Sequence, residues 1–218
     1  MMLPGPVGDI NWWRIGQPTE EELRLSGGLL VEDWPHARHV MYLSSLLFEA
    51  TRPLHKLDGL DLRLLQRAAF LHNAGMMIEV RRHHKHSFRL IKETPLPDFT
   101  PDERYEIACI ARYHRRALPS KDHDEFAALS PSARKRVSRL AALLRVADAL
   151  DYNHDSRVLH LAVLPELCRH DVWTVAVQVR PLAEVDDEFE HACDKADLFE
   201  HEFHAKLHLL RQNTQESG

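Results

Sequence analysis

Between Leu60 and Phe70 apolar residues recur at the spacing of a helix that other helices must cover, and the run leads directly into Leu71-His72-Asn73-Ala74-Gly75. A histidine followed by a short oxygen-bearing side chain, where the helix is expected to stop at Gly75, offers two adjacent metal-ligand atoms beside a core. His36, the run His83-His84-Lys85-His86, His114 and Asp148 also lie on or beside predicted helices, several on the apolar stripe. Buried polar groups without partners cost several kcal/mol each. The fold must therefore bring these side chains together or satisfy each one separately.

The helices follow from local signals. Thr19 and Glu22 form a capping box, and the short helix they open is expected to end near Gly27-Gly28. Asp33 caps the next helix, in which His36 shares a stripe with Val40, Leu43, Leu47 and Ala50 and so faces inward. Residues 83–93 read as a shorter basic helix. Thr100-Pro101-Asp102-Glu103 is a helix start, and Ile107, Ile110 and His114 share one face of that helix. The helix opened by Ser130-Pro131 carries Val137, Leu140 and Leu144, continuing at the same spacing into Asp148 and Asp151.

From about Val158 the period changes to two. Val158–Leu164 and Trp173–Val179 alternate and are separated by turn residues, which predicts a hairpin. A lone hairpin is marginal in water. Phe189, Ala192, Ala196, Phe199, Phe203, Leu207 and Leu210 follow the helical period and predict one long C-terminal helix to cover it. The expected fold is mainly α. It comprises an N-terminal docking segment over 1–33, with Trp12 and Trp13 packed on the body, a helical bundle over 34–155, and a hairpin-plus-helix subdomain over 156–218 that frays from Gln212.

Net charge is −5 with sixteen histidines neutral, which argues against general binding to DNA, other nucleic acid or an anionic membrane. Three widely spaced cysteines give no disulfide framework. No signal-peptide pattern or apolar stretch of about 20 residues is present, so a cytoplasmic location is expected.

His36, His72-Asn73, His86, His114 and Asp148, in that order, resemble the ligand series of HD-domain phosphohydrolases. More specifically, several segments resemble the C-terminal HD domain of the exopolyphosphatase and guanosine-pentaphosphate phosphatase family: His36-Ala-Arg-His-Val40, Leu71-His-Asn-Ala-Gly75, His83-His-Lys-His-Ser87, Arg112-Tyr-His-Arg115, Ala141–Asp151 and Lys195-Ala-Asp-Leu-Phe-Glu200. The resemblance implies an HD-type bundle in which His36, His72, Asn73 and Asp148 hold a divalent metal (Mn, Mg or Fe), with His86 and His114 serving a second ion or substrate oxygens. It implies hydrolysis of a phosphate ester or anhydride. Arg81, Arg82, Lys85, Arg115 and Arg116 would then attract polyphosphate or a phosphorylated nucleotide.

Two departures shape the alternative. The family motif has aspartate where this chain has Asn73, a neutral and weaker ligand for a hard ion. Family members also carry an actin-like phosphatase module, and nothing like it precedes Trp34. The alternative expectation is therefore a non-catalytic polyphosphate- or nucleotide-binding module that docks on a separate phosphatase domain or forms a homodimer.

Overall fold

In the computed structural model, which describes residues 19–212, the capping box is formed at the first described residue. Glu22 N donates to the Thr19 hydroxyl at 3.2 Å and Thr19 N to the Glu22 carboxylate at 2.7 Å, opening α1 (Glu20–Ser26). Trp12, Trp13 and the tail beyond Gln212 lie outside the described residues. Glu22 is buried and accepts from Arg38 of α2 (Trp34–Ala50), so a charge-assisted pair ties α1 to the body.

A short turn of helix, α3 (Arg52–His55), leads to α4 (Gly59–Leu71), which Asp58 and Asp61 start with a second capping box. Helices α5 (His83–Glu93) and α6 (Pro101–Arg112) pack on each other, and the Thr100 cap opens α6 as its sequence predicts. After the one-turn α7 (Asp124–Ala127), α8 (Pro131–Ala149) runs along α2, α4 and α6. Its Val137, Leu140 and Leu144 are fully buried. Burying each side chain of this size contributes about 1.5–3 kcal/mol, so the stripe fixes where the far end of α8 must lie. That end carries Asp148.

Strands β1 (Val158–Val163) and β2 (Val172–Val179) pair antiparallel, with Leu161 opposite Val177 and Val163 opposite Val175, as the alternation predicts. β1 packs on α2. The mainly α architecture with a small β part holds, but the long C-terminal helix does not. The segment divides into α9 (Asp186–Lys195), α10 (Asp197–Phe203) and a third strand, β3 (Lys206–Gln212). His204 caps α10 in the left-handed region at φ 54, and Leu207 and Leu209 then alternate into the core. β3 runs parallel to β2, with Trp173 beside Leu207 and Val175 beside Leu209. A parallel pair needs a crossover of about a dozen residues or more, and α9 and α10 supply it. Both helices pack on α8, so the bundle and the sheet share one hydrophobic cluster. Among the described residues no helix is long and apolar enough to cross a membrane.

Candidate metal centre

Three helix ends meet at one point. His36 lies in the first turn of α2, His72 caps the C-terminus of α4, and Asp148 sits in the last turn of α8. Their ligand atoms lie within 4.8 Å of one another. Asp148 Oδ1 is 3.5 Å from His36 Nε2 and 3.2 Å from His72 Nε2, and the two nitrogens are 3.3 Å apart. A carboxylate opposes the helix dipole at a C-terminus, so Asp148 needs positive charge beside it. Burial alone would raise its pKa, yet hydrogen bonds with His36 and His72 hold it well below the usual carboxylate range.

The other ring nitrogens are committed. His72 Nδ1 donates to the Ala69 carbonyl at 2.6 Å, which turns Nε2 toward Asp148. His36 Nδ1 is 2.8 Å from Asp151 Oδ2. Asp151 is buried, accepts from Ser156 N at 2.9 Å, and has His39 Nδ1 2.9 Å from its other oxygen. Burial works against positive charge on His36, but Asp148 and Asp151 outweigh it and raise its pKa to about 9. The field at His36 Nε2 therefore favours a cation. His154 stacks on His36 with centroids 3.6 Å apart, held in turn by Asp33.

A second pair lies alongside. His114, just past α6, and His83, the first residue of α5, face each other through their Nε2 atoms at 3.0 Å. Both Nδ1 atoms donate to carbonyls, His83 to Val80 at 2.8 Å and His114 to Ala111 at 2.7 Å. Burial lowers the pKa of His83 to about 4 and that of His114 well below its ordinary value, so both rings are neutral. Two lone pairs then point at each other, a contact that repels until something positive enters. His114 also packs edge-on to His72 at 4.9 Å, so His36, His72, His114 and His83 form a continuous row.

The approach of α5 depends on Gly75. The sequence places the stop of α4 at this glycine, whereas the helix ends at Leu71 and residues 72–78 form turns. Gly75 instead permits contact: a Cβ there would lie 2.4 Å from the His83 carbonyl and 2.5 Å from Ser87 N. Ser87 clamps the same junction, accepting from Gly75 N at 2.9 Å and donating to the His72 carbonyl at 2.7 Å.

The expected residues thus divide into two groups. His36 and His72 meet Asp148 beside a cavity of about 450 Å³, which Asp148, Asn73 and His114 line together with His83, Arg115 and Arg116. His86, Arg81, Arg82 and Lys85 do not line it. His86 turns outward toward Glu79 at 3.4 Å, Arg82 pairs with Glu79 at 3.0 Å, and Arg81 and Lys85 are exposed. The buried positions of α5 are His83, His84, Ser87 and Ile91, and of the two histidines it is His83, in register with Ser87 and Ile91 at i, i+4 and i+8, that lines the cavity. The sequence assigns no site role to Tyr152, His154, His191 or Lys195, which also line the cavity, and gives Asp151 no role beyond its place on the α8 stripe.

The donor set fits a divalent ion. Two imidazoles with fixed outward Nε2 atoms and a carboxylate make three ligands with open positions, the pattern of a catalytic rather than a closed structural site. Asn73 Oδ1 is buried without a hydrogen-bond partner at the same wall. His36, His72, Asp148 and Asn73 are the residues that would hold the ion, with His83 and His114 available to a second.

The chain is 36% identical over 94 residues to the guanosine-5'-triphosphate,3'-diphosphate pyrophosphatase of Pseudoalteromonas translucida, covering 42% of this chain and 18% of that protein. The enzyme of the same name from Pseudoalteromonas atlantica is 29% identical over 119 residues, 52% of this chain and 24% of its own length. That from Vibrio campbellii is 36% identical over 80 residues, 37% and 16% respectively. The matched region spans about a quarter or less of these relatives. Residues 30–187 of the 218 match the family described as Ppx/GppA phosphatase, domain III, and the chain belongs to that family.

Proposed function

We propose that this chain is a divalent-metal-dependent phosphohydrolase of the HD type, acting on the phosphoric ester or anhydride of a phosphorylated nucleotide or of polyphosphate. The observation that supports it most is the meeting of His36 Nε2, His72 Nε2 and Asp148 Oδ1 within 4.8 Å at an open cavity. An imidazole-rich set favours Mn²⁺ or Fe²⁺ over Mg²⁺. When bound, the ion would supply Lewis acidity toward a phosphoryl oxygen and toward water. Asp151 holds the His36 ring so that Nε2 faces Asp148, and the Ala69 carbonyl does the same for His72. His83 and His114 present neutral nitrogens to the same space. Arg115 and Arg116 at its rim would neutralise phosphate oxygens.

The test is phosphate release from guanosine 5'-triphosphate 3'-diphosphate, tripolyphosphate and long-chain polyphosphate by untagged protein, chelated and then reloaded with Mn²⁺, Fe²⁺ or Mg²⁺. Release should require the metal and disappear with Asp148→Asn. No release with any metal, from either wild type or Asn73→Asp, would refute it.

Asn73 supports a second reading, a module that binds the same ligands without hydrolysing them and docks on a separate phosphatase domain. A neutral amide oxygen stands where a carboxylate would strengthen the ion's hold. Tight ligand binding without turnover, together with turnover gained by Asn73→Asp, is the result that would favour it.

A further inference from the structure

The cavity above Asp148 has one wall that the metal reading does not use. It is built by α9, from the far side of the sheet connection, and brings His191 and Lys195 opposite Arg115 and Arg116. Lys195 is half-buried, and its ammonium has no hydrogen-bond or ion-pair partner among the described residues. Lysines near carboxylates usually find one, and a buried charge without a partner works against folding. Burial lowers its pKa; the field of Asp148 opposes this, and Arg145 and Arg115 add to it. Arg145 is occupied by Asp197 at 2.9 Å, which leaves Lys195 without that carboxylate.

Arg115 is in a similar position, half-buried with only a 3.4 Å contact to His83 Nδ1, an atom whose proton already goes to Val80. Arg116 adopts φ 64, a left-handed conformation uncommon for a long side chain, at the lip of the same cavity. Asp148 is the one carboxylate in the lining, and it already lies 3.5 Å from His36 Nε2 and 3.2 Å from His72 Nε2. Three cations therefore face one space whose lining holds a single carboxylate, Asp148. Tyr152 and His191, stacked at 3.6 Å, form its outer edge.

We propose that Lys195, together with Arg115 and Arg116, grips a phosphate of a phosphoric anhydride chain entering this cavity, Lys195 being the recognition residue that α9 contributes. This names the contact for the substrate class proposed above and rests on that reading for the end at which reaction occurs. Arg81, Arg82 and Lys85, which the sequence groups with the anion site, take no part.

The test is calorimetric binding of inorganic tripolyphosphate and of guanosine triphosphate to the whole chain in chelator, so that the metal plays no role. Lys195→Met keeps the stem and removes the charge. It should weaken tripolyphosphate at least about tenfold, the effect of losing a charge-assisted bond. Its melting temperature should not fall, because an unpartnered buried charge has been removed. Arg81→Ala should bind as wild type does. Equal loss for both ligands points to a nucleotide and loss for tripolyphosphate alone to an inorganic chain; either supports the assignment. Unchanged tripolyphosphate affinity in Lys195→Met overturns it, as does wild type that does not bind. Phosphate release is assayed separately: binding that depends on Lys195 without hydrolysis would leave the grip standing and refute the phosphohydrolase reading alone.

Discussion

Replacing Asp151 by asparagine should loosen the metal centre without touching a ligand atom. The Asp151 carboxylate is 1% exposed and meets His36 Nδ1 at 2.8 Å, His39 Nδ1 at 2.9 Å and Ser156 N at 2.9 Å. Burial would raise its pKa, but His36 and His39 hold it far below the usual carboxylate range. An amide keeps one accepting oxygen and presents an NH₂ group to one imidazole. If that is His36, the ring must move its proton to Nε2, which then points at Asp148 and closes the ligand position. Two charge-assisted contacts contribute about 1.5–3 kcal/mol each, and neutral replacements recover about 0.5–1.5 each, leaving a loss of about 2–3 kcal/mol. For a chain of this size that lowers the melting temperature by roughly 4–12 °C. Loss of an outer hydrogen bond to a ligating histidine should weaken Mn²⁺ about 10–100-fold. Chelator competition reads the affinity and calorimetry the melting temperature. Asp151→Asn binding Mn²⁺ as tightly as wild type would refute the positioning argument.

Asn73→Asp should strengthen Mn²⁺ by about tenfold or more in the same competition, because it adds charge where an amide oxygen now lies; weaker binding would place Asn73 outside the ligand sphere. Gly75→Ala forces a Cβ against backbone atoms of α5. It should cost about 1–3 kcal/mol by denaturant unfolding, and an unchanged midpoint would contradict the close approach. For chelated protein, stability should peak near pH 6.5. His83 and His84, both lowered by burial to about 4, are neutral in the fold, so the unfolded chain binds more protons as pH falls from 6.5 toward 4. His36, raised to about 9, stabilises fully below 6.5 and loses its contribution as pH rises through 9. A melting temperature that climbs steadily from pH 5 to 9 would refute this pair of assignments.

The bundle was legible because each helix carries its own start signal and a stripe at helical spacing. Thr19, Asp33, Thr100 and Ser130 cap as expected, and the Val137–Leu144 stripe places Asp148 at the site. The C-terminal segment misled for a physical reason. Residues 203, 207 and 210 fit the helical period, yet 205, 207 and 209 are the buried ones, and nothing local shows that β2 waits as a parallel partner. His86 was chosen over His83 because the run offers several histidines, although the positions of Ser87 and Ile91 indicate which one faces inward. Lys195 stood only in a family-like segment with no role assigned, since its place in the cavity wall depends on α9 packing on α8. Asp151 was visible on the α8 stripe, but its pairing with His36 crosses 115 residues of sequence.

Diffraction from crystals soaked in Mn²⁺, recorded at the manganese absorption edge, tests the central claim most directly. An anomalous peak about 2.0–2.3 Å from His36 Nε2, His72 Nε2 and Asp148 Oδ1 is the expected result. Crystals soaked to saturation with no peak among those three atoms, or with the three side chains pointing apart, would contradict it.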